Sequence, residues 1–262
     1  MNVPKNSDTS SPLLLIANWK MNPQTAADAK RLLEITKRSL GNARSYKVVL
    51  APPSVFMREL TKTYRGKKIS FAAQNIHWDI AGSHTGEVSA VQVRDAGASY
   101  TLVGHAERRA AGESIEDVRR KMALASSAGL IPVLCIGEKE RKPDGEYLRI
   151  IAEQLITGVE DVPRGKLKEV IVAYEPVWAI GGKEAMKPED MHGMAIYIRK
   201  VLGRVHGRVG LQIPILYGGS IDDKSAPAML SEGDVDGLLV GRASLDGRSF
   251  SLLLEALRRA RV

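Results

Sequence analysis

The 262-residue sequence predicts an α/β fold, a single-domain (β/α)8 barrel. Three observations predict it. Short apolar runs recur eight times along the chain. Amphipathic stretches separate them, at roughly thirty residues per unit and with no break in composition. The polar residues able to do chemistry collect just after the apolar runs, where the loops of such a barrel build a site.

The runs, in order, are "LLLIAN" from Leu13, "KVVLAP" from Lys47, "ISFAAQ" from Ile69, "YTLVGH" from Tyr100, "IPVLCIGE" from Ile131, "VIVAYEP" from Val170, "IPILYGG" from Ile213 and "GLLVG" from Gly237. They are apolar without strict alternation, the pattern of strands buried on both faces of a parallel sheet. Between them, "TAADAKRLLEITKRSL" places Ala26, Ala29, Leu33 and Ile35 near one helical face. "SIEDVRRKMALASSAG" opens on a Ser114–Asp117 pair resembling a capping box and ends at Gly129. "KPEDMHGMAIYIRKVLG" opens near Pro188 and ends at Gly203, and "FSLLLEALRRA" closes the chain. A doubly wound open sheet is the runner-up. No G-x-G-x-x-G follows the first strand and no G-x-x-x-x-G-K-[ST] occurs, which lowers that alternative.

Hydrophobic residues make up 44% of the chain and charged residues 26%, a globular balance. The longest apolar runs are too short to span a bilayer, so no membrane partner is expected. The stretch "MNVPKNSDTSSP" has no apolar region to make a signal peptide. Residues 1–11 are read as a flexible tail and 12–262 as the barrel domain. One cysteine, Cys135, excludes an internal disulfide and fits a cytoplasmic location. The net charge of +8 favours anionic partners. Nucleic acid and phosphorylated metabolites are the candidates; the basic residues are scattered among acids and only 5% of residues are aromatic, which counts against nucleic acid and reads as a well-solvated basic surface.

Asn18 and Lys20 follow the first strand, His105 the fourth and Glu175 the sixth, while "YGGS" and "VGRAS" follow the last two. A carboxylate can remove a proton beside a carbonyl, and a cation with an imidazole can stabilise the enediolate oxygen that develops. Glycines after the last strands let backbone N–H groups approach an anion. No metal-ligand spacing is present: His77 and His84 flank a turn, and His192 and His206 read as helix-surface residues. No metal and no cofactor are expected.

The motifs "ANWKMN", "QNIHWDIAGSHTGEVS", "LVGHAERR", "VLCIGE", "AYEPVWAIG", "LYGGS" and "DGLLVGRASL", in order from Asn18 to Leu245, resemble the triosephosphate isomerase family. The resemblance implies a TIM barrel with one catalytic domain. It implies an intramolecular aldose–ketose isomerase acting on dihydroxyacetone phosphate and D-glyceraldehyde 3-phosphate, in glycolysis and gluconeogenesis. By it, Glu175 is the general base and His105 a neutral imidazole that polarises the carbonyl, a pairing for which this family is itself the standard example. The stretch after His105 can present helix N–H groups that disfavour imidazolium. Lys20 binds phosphate and supplies positive potential, and Asn18 orients the substrate. Gly181, Ser220 and the backbone of Gly241 and Arg242 hold the phosphate. Glu107 and Arg109 fix His105 and Lys20. Cys135 and Glu138 lie near the floor of the site, Cys135 as a buried thiol rather than a nucleophile. Pro176, Val177, Trp178, Ala179, Ile180, Gly181 and Gly182 form the front of a lid. Thr85 enters a neighbouring subunit, so a homodimer is implied.

Three departures stand out. The family usually has Ser where Ala106 follows the histidine, so Glu175 is expected to lack that hydroxyl as a resting partner and to be less fixed in its open position. Gly241-Arg242 replaces a glycine pair. Either the Arg242 side chain points away and packs or pairs nearby, or it reads a larger or more charged substrate. "GGKEAMKP" replaces the usual second lid hinge, so altered lid kinetics are expected. The alternatives are an isomerase of a four-carbon ketose phosphate and a non-catalytic binding barrel.

Overall fold

The computed structural model describes residues 12–41, 46–179 and 185–259. The tail expected over residues 1–11 lies outside the described residues, as do Ile180, Gly181 and Gly182 of the expected lid. The eight expected strands are all present: β1 (Leu13–Asn18), β2 (Tyr46–Ala51), β3 (Ile69–Ala73), β4 (Tyr100–Val103), β5 (Ile131–Ile136), β6 (Ile171–Tyr174), β7 (Ile215–Tyr217) and β8 (Gly237–Val240). Each pairs in parallel with the next, and β8 pairs with β1, so the sheet closes on itself. Helices α1 (Ala26–Leu40), α2 (Ser54–Thr63), α3 (Ala90–Asp95), α4 (Ala106–Ala110), α5 (Ile115–Ser127), α6 (Glu146–Val159), α7 (Pro188–Leu211), α8 (Ala226–Glu232) and α9 (Gly247–Arg259) surround it.

The absence of strict alternation has the expected cause. Ile16, Val49, Leu102, Val133, Leu216 and Leu239 fill the barrel interior. Their strand neighbours, such as Leu15, Leu50, Leu134 and Leu238, pack outward with the helices. Both faces are dry, so neither can carry a polar period.

In α1, the Thr25 hydroxyl accepts the Asp28 N–H at 3.1 Å and starts the helix. Its buried stripe is Ala29, Leu33, Thr36 and Leu40, while Ala26 and Ile35 sit half-buried at the margins of that face. The capping box of α5 forms between Ser114 and Asp117, and Gly129, at φ 78°, turns the chain out of the helix.

The end expected for α7 at Gly203 is corrected. The helix continues to Leu211, with its break at Gly207 (φ 60°). Gly203 serves close packing instead, since a Cβ there would sit 2.6 Å from Leu211 Cδ2.

Strand register brings the chemistry to one rim. Asn18 lies opposite Ala51, Ile136 opposite Tyr174, and Tyr174 opposite Tyr217. The residues that follow these ends therefore face one another across the C-terminal mouth of the barrel.

Candidate active site

Glu175 leaves β6 with its backbone N–H donating to Ile136 O at 2.7 Å, and the residue is 1% exposed. Its Oε1 lies 3.3 Å from His105 Nε2, and its Oε2 accepts the Ala106 N–H at 3.0 Å. Ala106 brings no hydroxyl to Glu175, and its backbone N–H is the group that donates there. Two glycines make room for this seat. A Cβ on Gly137 would lie 1.8 Å from Glu175 O, and one on Gly218 would lie 2.8 Å from Glu175 Cγ.

His105 caps α4, with Nδ1 accepting the Glu107 N–H at 3.2 Å. An Nδ1 that accepts cannot carry a proton, so the hydrogen-bond pattern assigns the proton to Nε2, the nitrogen facing Glu175. In that tautomer the imidazole presents an N–H donor toward the cavity. Gly104, at φ 74°, makes the turn from β4 into this position.

Lys20 has φ 52°, a backbone conformation that a side-chain-bearing residue holds only when its surroundings enforce it. Those surroundings are visible. The Lys20 N–H donates to Asn18 Oδ1 at 3.0 Å, and Gln74 Nε2 donates to both Lys20 O (2.8 Å) and Ala51 O (2.7 Å). Lys20 Nζ sits 2.5 Å from Glu107 Oε1. Glu107 thus touches Lys20 through its side chain and His105 through its backbone. Arg109 touches neither. Its guanidinium donates to the carbonyls of Gly104 and, at 2.6 Å, Cys135, tying the ends of β4 and β5 together. Gln74 stood in a quoted motif but drew no role from the sequence. Only the fold shows that it lies across the Lys20 turn.

Glu138 anchors the segment that follows Glu175. Its Oε1 accepts from Tyr174 Oη and Trp178 Nε1, both at 2.8 Å, and its carbonyl accepts the Val177 N–H at 3.0 Å. Burial, then the Glu138 charge, push the Tyr174 phenol well above its ordinary range, so it stays a donor. The Pro176 carbonyl accepts the Ala179 N–H at 2.9 Å, and the Ala179 carbonyl accepts the Ser220 hydroxyl at 2.9 Å. Cys135 is fully buried in the barrel. Burial, then the Glu175 charge, raise its thiol and make it inert.

Asn18, Lys20, His105, Glu175, Gly218, Ser220, Gly241 and Arg242 line one cavity of about 750 Å³. Gly241 lies against Lys20: a Cβ there would be 3.2 Å from Lys20 Cε. No ion pair or hydrogen bond holds the Arg242 side chain among the described residues, so the pairing expected nearby is not found.

Thr85 is exposed at the tip of the loop between β3 and α3. In that loop His77, Asp79 and His84 place one donor atom each within 4.8 Å of one another, a grouping that the sequence showed only as two histidines flanking a turn. Their donors are engaged: His77 Nδ1 accepts the Asp79 N–H at 3.0 Å, and Asp79 lies 3.0 Å from His84 Nε2 and 2.9 Å from Arg120. Among the described residues, no helix is long and apolar enough to cross a membrane.

Known proteins resemble this chain in sequence and fold. The family model described as Triosephosphate isomerase matches residues 13–257. A triosephosphate isomerase from Moorella thermoacetica is 35% identical over 243 residues, covering 92% of this chain and 97% of that protein. One from Wigglesworthia glossinidia brevipalpis is 34% identical over 250 residues, covering 95% and 97%. The crystal structure of triosephosphate isomerase from Bartonella henselae superposes with a TM-score of 0.82 at 30% identity, covering 95% of this chain and all of that one. With a family match across the whole barrel and relatives this similar over nearly their full lengths, the chain is an isomerase belonging to the triosephosphate isomerase family.

Proposed function

We propose that this chain interconverts dihydroxyacetone phosphate and D-glyceraldehyde 3-phosphate, with Glu175, His105 and Lys20 carrying the reaction. The observation that carries the reading is the contact of 3.3 Å between a buried carboxylate and a histidine whose proton faces it. Glu175 takes the proton from the carbon beside the carbonyl. His105 Nε2–H donates to the carbonyl oxygen as it becomes an enediolate oxygen. His105 passes its Nε2 proton to that oxygen and takes up the proton of the neighbouring hydroxyl, while Glu175 returns its own proton to the former carbonyl carbon, so the hydroxyl carbon becomes the carbonyl. Lys20 supplies positive potential, Asn18 orients the substrate, and Glu107 holds Lys20 while its N–H fixes the imidazole tautomer. Gly181, Ser220 and the backbone of Gly241 and Arg242 take the phosphate, with Pro176–Gly182 as the front of the lid.

A coupled assay with glyceraldehyde 3-phosphate tests this. Glu175→Gln lowers kcat by at least about 10²-fold, the scale of general-base catalysis. An unchanged rate overturns the assignment. No observation favours a four-carbon ketose phosphate or a non-catalytic barrel.

The family match from residue 13 to 257 supports reading residues 12–262 as one catalytic domain. A homodimer built on Thr85 is supported by apolar side chains left outside the fold, Met21 at 84% and Ile80 at 60% exposure. Light scattering on the purified chain checks it, and a monomer at micromolar concentration overturns it. A single buried thiol accords with a cytoplasmic location.

A further inference from the structure

We infer that the side chain of Arg242 is a substrate ligand, a guanidinium that grips the phosphate at the mouth of the cavity. This deepens the isomerase reading and rests on it. Arg242 opens the turn that follows β8, directly after Gly241, whose backbone lies against Lys20. Both residues line the same cavity.

The two cations differ in one respect. Lys20 shares its charge with Glu107 at 2.5 Å. Arg242, although exposed, has no acidic partner among the described residues. A guanidinium left unpaired beside an anion site is available to an anion, and its planar fork matches phosphate oxygens two at a time.

The cavity also gives such a cation something to offset. Asp222 and Asp223 line it too. The Ser225 hydroxyl and backbone N–H, together with the Lys224 N–H, hold Asp222 ionised below the ordinary carboxylate range. A dianion in a cavity lined by these charges meets repulsion, which a guanidinium in the same lining counters. A glycine-type backbone donor at position 242 would bind phosphate through N–H alone. Arginine keeps that N–H and adds the fork.

The test uses the full chain, glyceraldehyde 3-phosphate as substrate and inorganic phosphate as competitive inhibitor. Arg242→Ala raises both KM and the phosphate inhibition constant by about 10-fold, the scale of a charge-assisted hydrogen bond at a partly exposed site, with a smaller change in kcat. Arg242→Lys, which keeps the charge without the fork, recovers part of both losses. The rise in the phosphate constant shrinks as salt increases. A phosphate constant equal in wild type and Arg242→Ala overturns the inference while leaving the isomerase reading intact. Absence of isomerisation by the wild-type chain overturns the isomerase reading instead. A kcat loss with no change in the phosphate constant assigns Arg242 a structural role and also overturns the inference.

Discussion

Gly218→Ala probes how finely Glu175 is seated. Gly218 does not adopt a positive φ, so alanine meets no backbone strain there, and the perturbation is purely one of space. The new Cβ would lie 2.8 Å from Glu175 Cγ, 3.4 Å from Tyr174 O and 3.6 Å from Glu175 Oε1. An ordinary carbon–carbon contact needs about 3.5 Å, so the glutamate side chain has to move by about 0.7 Å. The Ala106 N–H and His105 Nε2, at 3.0 and 3.3 Å, hold the carboxylate and resist that move. A misplacement of about 1 Å can cost 10²-fold in rate, so kcat is expected to fall about 10- to 100-fold. Overpacking of this kind destabilises by about 1–3 kcal/mol. The assay is steady-state kinetics beside urea unfolding, with Gly165→Ala as control, because a Cβ at Gly165 meets nothing within 4 Å. Gly137→Ala marks the other extreme: its Cβ would strike the Glu175 carbonyl at 1.8 Å, and backbone cannot yield as a side chain can. A folded Gly218→Ala enzyme with kcat within twofold of wild type refutes the reasoning, because the base would then tolerate displacement.

Other consequences can be checked in the same way. Lys20→Gly relieves a positive φ, worth about 1 kcal/mol, and loses only an exposed pair with Glu107, so stability holds or rises while activity falls at least 100-fold. Destabilisation by more than 1 kcal/mol in urea would count against an enforced turn. Ala106→Ser changes kcat/KM less than about threefold, since the backbone N–H already holds Glu175 and an extra hydroxyl adds little net energy; a tenfold change would show that the N–H is not enough. The raised thiol of Cys135 gives a pH effect of defined sign. Above about pH 8.5 the unfolded chain loses this proton and the folded chain keeps it, so stability falls as pH rises, by at most about 1.4 kcal/mol per unit. Urea unfolding at two alkaline pH values should show a shallower decline for Cys135→Ala, and equal slopes in the two proteins would contradict the burial assignment.

Much of the fold was legible because a barrel closed on itself buries both strand faces. That leaves apolar runs such as "VIVA" and "GLLV" without a polar period. Local signals also held where chain neighbours set the geometry, as at the Ser114 cap and the Gly129 exit. They failed where distant residues decide. Gly203 reads as a helix stop, but its lack of a side chain answers to Leu211 across the kink. The residues proposed to bear the chemistry, Lys20, His105 and Glu175, could be picked out at strand ends. The groups that hold them could not. Gln74 crosses from one loop to the turn of another, Arg109 grips two carbonyls rather than a side chain, and Ala106 contributes an N–H that every residue but proline carries. Backbone donors are invisible in a list of side chains.

That last point bears on how such a chain changes over generations. The seat of Glu175 is made from an amide N–H at one position and from missing side chains at two others. Position 106 is therefore open to drift, because almost any replacement inherits the same donor. Positions 137 and 218 are closed to it, because any replacement adds atoms. The chain carries alanine at the position where a replacement costs little, immediately beside the proposed base, and glycine at the two where it costs much.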